Sequence, residues 1–419
     1  MKNHYITKIR IDKLRHLENI DIELSQSERK HLLLTGKNGV GKTSTLAAIK
    51  SWMICIQGGS VKTLRIYQNQ IKNLSFKLKG EISEDKKLKI QNELKQCYYL
   101  LNNIGNSQVD LSFFGDENEY CTFYDQGKFI LAYYGANRKT TVEIPNGVEK
   151  LKLKETYSLN ENPSNIFVKY LVDLKTQQSF ARNENDLEVV ANIEAWFNRL
   201  ENALKVILGD NSIKLKFDYR NYNFKILQEG REPYGLNELS DGYSSILNIV
   251  SDLILRMDKN RASEKRNYVF DTEGIVMIDE LETHLHIELQ KKILPFLTEF
   301  FSNIQFIVTT HSPFVLNSVD NAVIYDLEKK IRLENLSNYS YDGIVEGYFE
   351  VDSYSQELKD KIAEYKKLAF RNDLNEEERA HRAELRIELK NASNDLAKEL
   401  KSEFNEIEEK RKKLNDQNR

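Results

Sequence analysis

The stretch Gly36-Lys37-Asn38-Gly39-Val40-Gly41-Lys42-Thr43 decides the fold. It matches G-x-x-x-x-G-K-[ST] at every fixed position. The apolar run Leu32-Leu33-Leu34 precedes it. After it, Leu46, Ile49, Met53 and Ile56 recur at helical spacing, which predicts a helix from about Lys42 to Ile56. Strand, glycine turn and helix together let backbone N–H groups curl around phosphate oxygens, and the helix start adds positive potential. In such a loop Lys42 reaches terminal phosphates and the Thr43 hydroxyl goes to Mg2+. Gly36, Asn38, Gly39, Gly41 and Ser44 complete the expected cradle.

Three further stretches supply chemistry. Gly274-Ile275-Val276-Met277-Ile278-Asp279-Glu280 reads as a buried strand ending in two carboxylates. Beside a P-loop, Asp279 suits the Mg2+ shell and Glu280 suits the group that orients or activates a water; elsewhere the pair would read as a solvated acidic turn. Leu239-Ser240-Asp241-Gly242-Tyr243 opens an apolar helix through Ile246, Leu247, Ile249, Val250, Leu253 and Ile254. Ser240 is a good N-cap, and a serine with a glycine at a helix start also makes an anion site. Ile304 to Val308 forms another apolar strand, continuing into Thr309-Thr310-His311-Ser312-Pro313. A lone histidine is more often structural, but His311 falls at the same sheet edge, where it could sense a γ-phosphate.

In that order the four stretches resemble the ABC-type ATPases: Walker A, an L-S-x-G-x signature, an Asp-Glu Walker B and a switch histidine. The long stretch between Lys42 and Ser240 is similar to the SMC/RecF/OLD-like branch, in which helical insertions interrupt the head. Leu239 to Tyr243, Ile278-Asp279-Glu280-Leu281-Glu282-Thr283-His284-Leu285-His286 and Thr309 to Pro313 resemble the stand-alone ATPases of bacterial anti-phage defence. The likeness is greatest to the PtuA ATPases of Septu and retron-linked systems, with the AriA ATPases of PARIS a near alternative, and covers about residues 5–330.

The resemblance implies hydrolysis of ATP with Mg2+, and a homodimer or higher homo-oligomer joined through the heads. Each ATP would meet Lys42, Thr43, Asp279, Glu280 and His311 of one subunit and Ser240 and Gly242 of the other. Leu281 to His286 would be the loop crossing the seam (the D-loop), although Ile287 stands where related chains often carry proline. The resemblance also implies a separate nuclease effector, HNH-type and PtuB-like or else TOPRIM-like, and a phage or DNA trigger. Rival readings are an SMC/RecF-type ATPase of DNA repair or recombination, a transporter head and a nucleotide-locked scaffold. Asn137 and Arg138 stand where a Q-loop-like element is expected. Arg15 is read either as a nucleotide contact or as a solvated arginine. His284 and His286 suggest zinc but lack a clear third ligand.

The fold expected is α/β: a P-loop ATPase head with an antiparallel β-subdomain, helical insertions and a C-terminal helical or coiled-coil tail. The head's first part is read at 1–60, a helical insertion at 61–108 and the β-subdomain at 109–162. A helix-and-strand insertion follows at 163–235, the second part of the head at 236–350 and the tail at 351–419. Strands are expected at Val109–Phe114, Tyr120–Tyr124 and Phe129–Tyr134, and a short basic one around Lys150, Lys152 and Lys154. In the tail, Leu358, Ile362, Tyr365 and Leu368 make one apolar stripe. Leu385, Leu389, Ala392, Leu396, Leu400, Phe404 and Ile407 make another, three or four residues apart, after an Asn375/Glu378 capping box. That stripe serves either an intrachain hairpin or a partner.

The 419 residues carry 61 Lys+Arg against 64 Asp+Glu, a net charge of −3, which excludes a chain-wide polybasic nucleic-acid binder. Three cysteines without a C-x-x-C pair argue against a disulfide framework or a cysteine zinc site and fit a reducing compartment. No apolar run is long enough to span a bilayer, and Met1 to Tyr5 leads into no signal-peptide core. A cytoplasmic protein without a membrane partner is expected.

Overall fold

The structure, a computed structural model, describes residues 4–80, 83–104, 109–139, 141–258, 270–333, 336, 344, 356–371, 373–392 and 404–411. Two units separate, Met1–Tyr339 and Ser340–Arg419.

In the first unit, β1 (Ile6–Leu14) and β2 (Leu17–Glu23) make an antiparallel hairpin whose apolar residues alternate inward. The buried strand β3 (His31–Thr35) leads to helix α1 (Lys42–Gln57), which buries Leu46, Ile49, Met53 and Ile56. Helices α2 (Val61–Leu78) and α3 (Glu84–Asn103) form the helical hairpin. Then come β4 (Val109–Phe113), α4 (Glu117–Asp125) and β5 (Phe129–Tyr134). Helices α5 (Phe167–Asn183) and α6 (Leu187–Leu208) precede the small antiparallel sheet of β6 (Lys214–Asp218), β7 (Asn223–Leu227) and β8 (Tyr234–Gly235). The unit closes with α7 (Asp241–Asp258), β9 (Glu273–Ile278), α8 (Ile287–Phe300), β10 (Ile304–Thr309), α9 (Pro313–Leu316), β11 (Ala322–Asp326) and β12 (Ile331–Leu333).

The central sheet has the order β12-β11-β3-β10-β9-β5, and every neighbouring pair except β11–β12 is parallel. Parallel strands are covered on both faces, which is why β3, β9 and β10 read as nearly unbroken apolar runs. Register then does the positioning. Leu34 lies opposite Thr309, Val308 opposite Ile278, and Ile278 opposite Tyr134. The residues that follow, Gly36, Thr310, Asp279 and Gly135, therefore emerge together at one carboxyl edge. A second sheet, β2-β1-β4, is antiparallel. Helix α1 packs Trp52 against Phe113 of β4, with ring centroids 4.9 Å apart.

Three sequence expectations fail. Tyr120 to Tyr124 is helix, not strand. The Asp116 side chain caps that helix by accepting from the Asn118 N–H at 2.9 Å. Tyr120 and Tyr124, four apart, bury one face and donate to the carbonyls of Phe114 (2.8 Å) and Tyr157 (2.9 Å). The aromatic run satisfied helical period as well as strand propensity, and the cap decided between them. Lys150 to Lys154 is irregular rather than a strand, and Lys154 turns to an ion pair with Glu161. The remaining strand, β5, joins the edge of the parallel sheet, not the antiparallel one.

A buried ionic knot ties α7 to β5. Arg256 Nε donates to Asp252 at 2.7 Å, and Tyr134 Oη donates to the same carboxylate oxygen. Arg256 Nη1 also donates to the carbonyls of Leu131 and Tyr157, each at 3.0 Å.

The second unit carries its own small core. Helices α10 (Gln356–Ala369) and α11 (Glu376–Ala392) and residues 404–411 bury Ile362, Tyr365, Leu368, Leu385, Leu389, Phe404 and Ile407 together. The capping box is present: Glu378 N–H donates to Asn375 Oδ1 (2.8 Å) and Asn375 N–H to Glu378 Oε2 (3.0 Å). Both stripes are thus used, at these positions, within the chain. Leu396 and Leu400 lie outside the described residues, as do the side chains of Leu358 and Ala392.

Removing one partner of a buried pair leaves the other charge uncompensated, at a cost of about 3–5 kcal/mol. Arg256→Leu is therefore expected to lower the thermal midpoint of the first unit clearly, whereas Lys8→Ala, in an exposed pair with Asp21 and Glu23, leaves it unchanged. Calorimetry of the two variants checks this.

Candidate nucleotide-binding site

The loop between β3 and α1 bends at glycines that no side chain could replace without strain. Gly36 (φ 127°) and Gly41 (φ 101°) are both left-handed. A Cβ at Gly41 would lie 3.1 Å from Leu17, the first residue of β2 after the β1–β2 turn. The same turn brings His16 Nε2 to 3.1 Å from the Val40 carbonyl, while Arg15 beside it is exposed. Asn38 and Gly39 are exposed, and Ser44 is half-buried in the first turn of α1.

Lys42 is buried, and its ammonium donates to the carbonyls of Gly36 (2.8 Å) and Lys37 (3.0 Å). It lies 3.5 Å from His311 Nδ1. Burial pulls the lysine down from its ordinary value, against the upward pull of Glu280, Glu282, Asp279 and Asp326. His311 is held down as well, first by burial and then by the Lys42 charge.

Asp279 Oδ1 accepts from two hydroxyls, Thr309 Oγ1 at 2.6 Å and Thr43 Oγ1 at 3.1 Å. A carboxylate and a P-loop hydroxyl in contact are hard oxygen donors of the kind Mg2+ takes, so the donor set fits that ion. Glu280 has φ 47°, left-handed for a residue with a side chain, and its N–H donates to Thr309 Oγ1 at 2.8 Å. Glu282 Oε1 accepts the His311 N–H at 2.5 Å, and Glu282 Oε2 is buried without a partner. Arg138 is buried against the carbonyls that follow β9, and burial brings it down to about 10.

Residues expected to act in one chain thus converge: Lys42 lies against His311, Thr43 against Asp279, and Glu280 hangs from the same threonine as Asp279. The signature stands apart. Ser240 is exposed, and Gly242 backs onto the loop after Glu280. A Cβ at position 242 would sit 2.5 Å from the His284 carbonyl. A cleft of about 320 Å3 flanks the signature, lined by Arg231, Tyr234, Ser240 and Tyr243 among others. Thr309 and Glu282 escaped the sequence reading. Their only signals were a threonine two before His311 and a second glutamate two after Glu280.

A family described as "AAA domain, putative AbiEii toxin, Type IV TA system" matches residues 64–317, more than half of the chain. The chain belongs to this AAA family. The matched span begins after the P-loop and takes in the signature, Walker B and His311 of this AAA-family protein. The "Septu protein PtuA" of Bacillus mycoides (strain KBAB4) is 29% identical over 345 residues, 81% of this chain and 42% of that protein. The "Retron Ec83 probable ATPase" of Escherichia coli is 30% identical over 205 residues, 47% of this chain and 34% of its own length. The "Retron Vc95 probable ATPase" of Vibrio cholerae serotype O1 biovar El Tor is 24% identical over 386 residues, covering 74% of this chain and 72% of its own. The chain therefore spans less than half of the first two relatives. A solved SMC head bound to the C-winged helix domain of ScpA aligns over 80% of this chain and 100% of its own at TM-score 0.39 and 12% identity, too distant to decide anything. No helix among the described residues is long and apolar enough to cross a membrane.

The electrostatics predict that His311 titrates below its ordinary value and that Lys42→Ala moves it upward, because the repelling charge is gone. Histidine ring NMR across a pH series of both proteins reads this directly.

Proposed function

We propose that the chain binds ATP with Mg2+ and hydrolyses it to ADP and phosphate, as the ATPase of a bacterial anti-phage defence assembly that controls a separate nuclease effector. The observation that carries the ATPase reading is the joining of P-loop and Walker B through Thr43, Asp279 and Thr309 on one carboxylate oxygen. The defence reading draws on the Septu and retron relatives.

Under this reading the backbone N–H groups of Gly36, Asn38, Gly39, Gly41 and Ser44 surround the phosphates, and Lys42 leaves the loop carbonyls for the terminal phosphate oxygens. Thr43 and Asp279 hold Mg2+, which neutralises charge on the phosphate oxygens. Glu280 orients a water toward the γ-phosphorus and takes up its proton as the new P–O bond forms and the bond to the ADP oxygen breaks. His311, kept neutral beside Lys42, can accept from the water or donate to the γ-phosphate. Ser240 and Gly242 act across a head-to-head dimer or higher homo-oligomer. Supporting that placement, Ser240 is exposed and Gly242 faces its own D-loop, Leu281 to His286, instead of the Lys42 loop. An HNH-type, PtuB-like nuclease is the partner favoured by the PtuA likeness, a TOPRIM-like one the alternative; phage or DNA would be the trigger.

Lys42→Ala is expected to abolish measurable ATP binding in calorimetry; unchanged affinity contradicts the P-loop assignment. Glu280→Gln is expected to keep ATP affinity while turnover falls by about 100-fold or more. It should also accumulate as an ATP-dependent dimer by light scattering, and Ser240→Arg in that background should return it to protomers.

A further inference from the structure

We propose that Arg138 is a positioning residue: it fixes the backbone of the Walker B turn, and through it the Glu280 side chain, and it is not a ligand of nucleotide. Its Nη1 donates to the carbonyls of Gly135 (2.8 Å) and Asp279 (2.6 Å). Its Nη2 donates to those of Glu280 (2.9 Å) and Leu281 (3.1 Å). A guanidinium has five N–H groups, two on each Nη and one on Nε. All four Nη hydrogens are committed to backbone oxygens. The remaining one, on Nε, is buried and meets no acceptor. The paired Nη donors that would grip a phosphate are thus spent on carbonyls, and only the single buried Nε–H, without a partner among the described residues, lies outside the clamp.

The demand for such a cation comes from the turn itself. Carbonyls of successive residues in an extended strand point to opposite sides. At Glu280 the chain turns left-handed, with φ 47°, and the carbonyls of three successive residues, 279 to 281, converge on one side. Converging buried acceptors need donors, and a flat fork supplies four in the required plane. A lysine ammonium is a point charge with three donors and cannot span the set. From the other side, Thr309 holds the Glu280 N–H, and its hydroxyl proton goes to Asp279. Glu280 is thus pinned by Arg138 through its carbonyl and by Thr309 through its N–H. The left-handed conformation persists because both ends are held. This assigns a task to a residue expected only to mark a Q-loop-like position.

The consequence for rate rests on the ATPase reading; the consequence for the turn does not. Hydrogen exchange of the Asp279, Glu280, Leu281, Thr283 and Leu285 amides, all bonded within or onto this turn, is compared in wild type, Arg138→Lys and Arg138→Ala. Exchange there is expected to quicken at least about tenfold in both variants, with the amides of α1 unchanged as the folding control. If Arg138→Ala does not fold, Arg138→Lys carries the comparison alone. In turnover assays kcat is expected to fall about 100-fold while ATP affinity by calorimetry stays within about threefold. Millimolar guanidinium should restore part of the Arg138→Ala rate. Unchanged exchange in the turn, or ATP affinity falling in step with kcat, overturns the proposal. If the wild type shows no turnover, the hydrolysis reading fails, and the exchange comparison still decides the clamp.

Discussion

One oxygen atom organises the site. Asp279 Oδ1 accepts one hydrogen bond from the Thr43 hydroxyl at the start of α1 and another from the Thr309 hydroxyl at the end of β10. Three neighbouring elements of the sheet are thereby locked at the same height. The geometry is available only because β3, β10 and β9 are parallel and in register, so that their carboxyl ends finish together. An antiparallel pairing at this place would send one of the three side chains to the opposite edge. The same bond distribution sets the electrostatics. With its carboxylate facing two hydroxyls, Asp279 helps offset the desolvation of Lys42 without pairing with it directly.

Much of this was readable from residues. Gly36 to Thr43 specified strand, turn and helix because each glycine answers to a backbone angle and the apolar runs on either side carry strand and helix spacing. Asp279, Glu280 and His311 were readable because they end apolar runs, and a run that ends in a charged residue marks a sheet edge. Tyr120 to Tyr124 was not, because an aromatic stretch fits either period and the deciding contact, Asp116 to the Asn118 N–H, is local and small. Arg138 was placed only roughly, since nothing in its neighbours shows that its partners are carbonyls well over a hundred residues further on. Thr309 and Glu282 were missed for the same reason: their partners lie across strands, and hydroxyl–carboxylate bonds leave no periodic trace.

Helix α7 is not independent of strand β9. Tyr134 joins them twice: its carbonyl accepts the Asp279 N–H at 2.8 Å, and its hydroxyl donates to Asp252 within α7. Next to the Arg138 clamp, Lys139 reaches Asp241 at the start of α7, at 3.1 Å. The end of β5 and the residues just after it thus hold both the turn after β9 and the start of α7 within one subunit. A rotation of α7 that left β5 and β9 unmoved would break the buried hydrogen bonds of Tyr134 to Asp252 and of Arg256 to the Leu131 carbonyl, a costlier change than a shift of an exposed contact. The motion open to this head is therefore movement of α7 with β5 and β9 together.

Gly242 is the small detail with the longest reach. Its missing side chain is demanded by the His284 carbonyl of its own chain, whether or not a nucleotide or a second subunit is near. Selection on that glycine therefore differs from selection on Lys42 or Glu280. Under the proposed ATPase reading, a lineage that had lost hydrolysis would be free to drift at the lysine and the glutamate, yet packing would still hold it to glycine at 242. Among divergent copies of this chain, glycine at that position reports an intact fold, and under the proposed reading only its company of lysine and glutamate reports an intact enzyme.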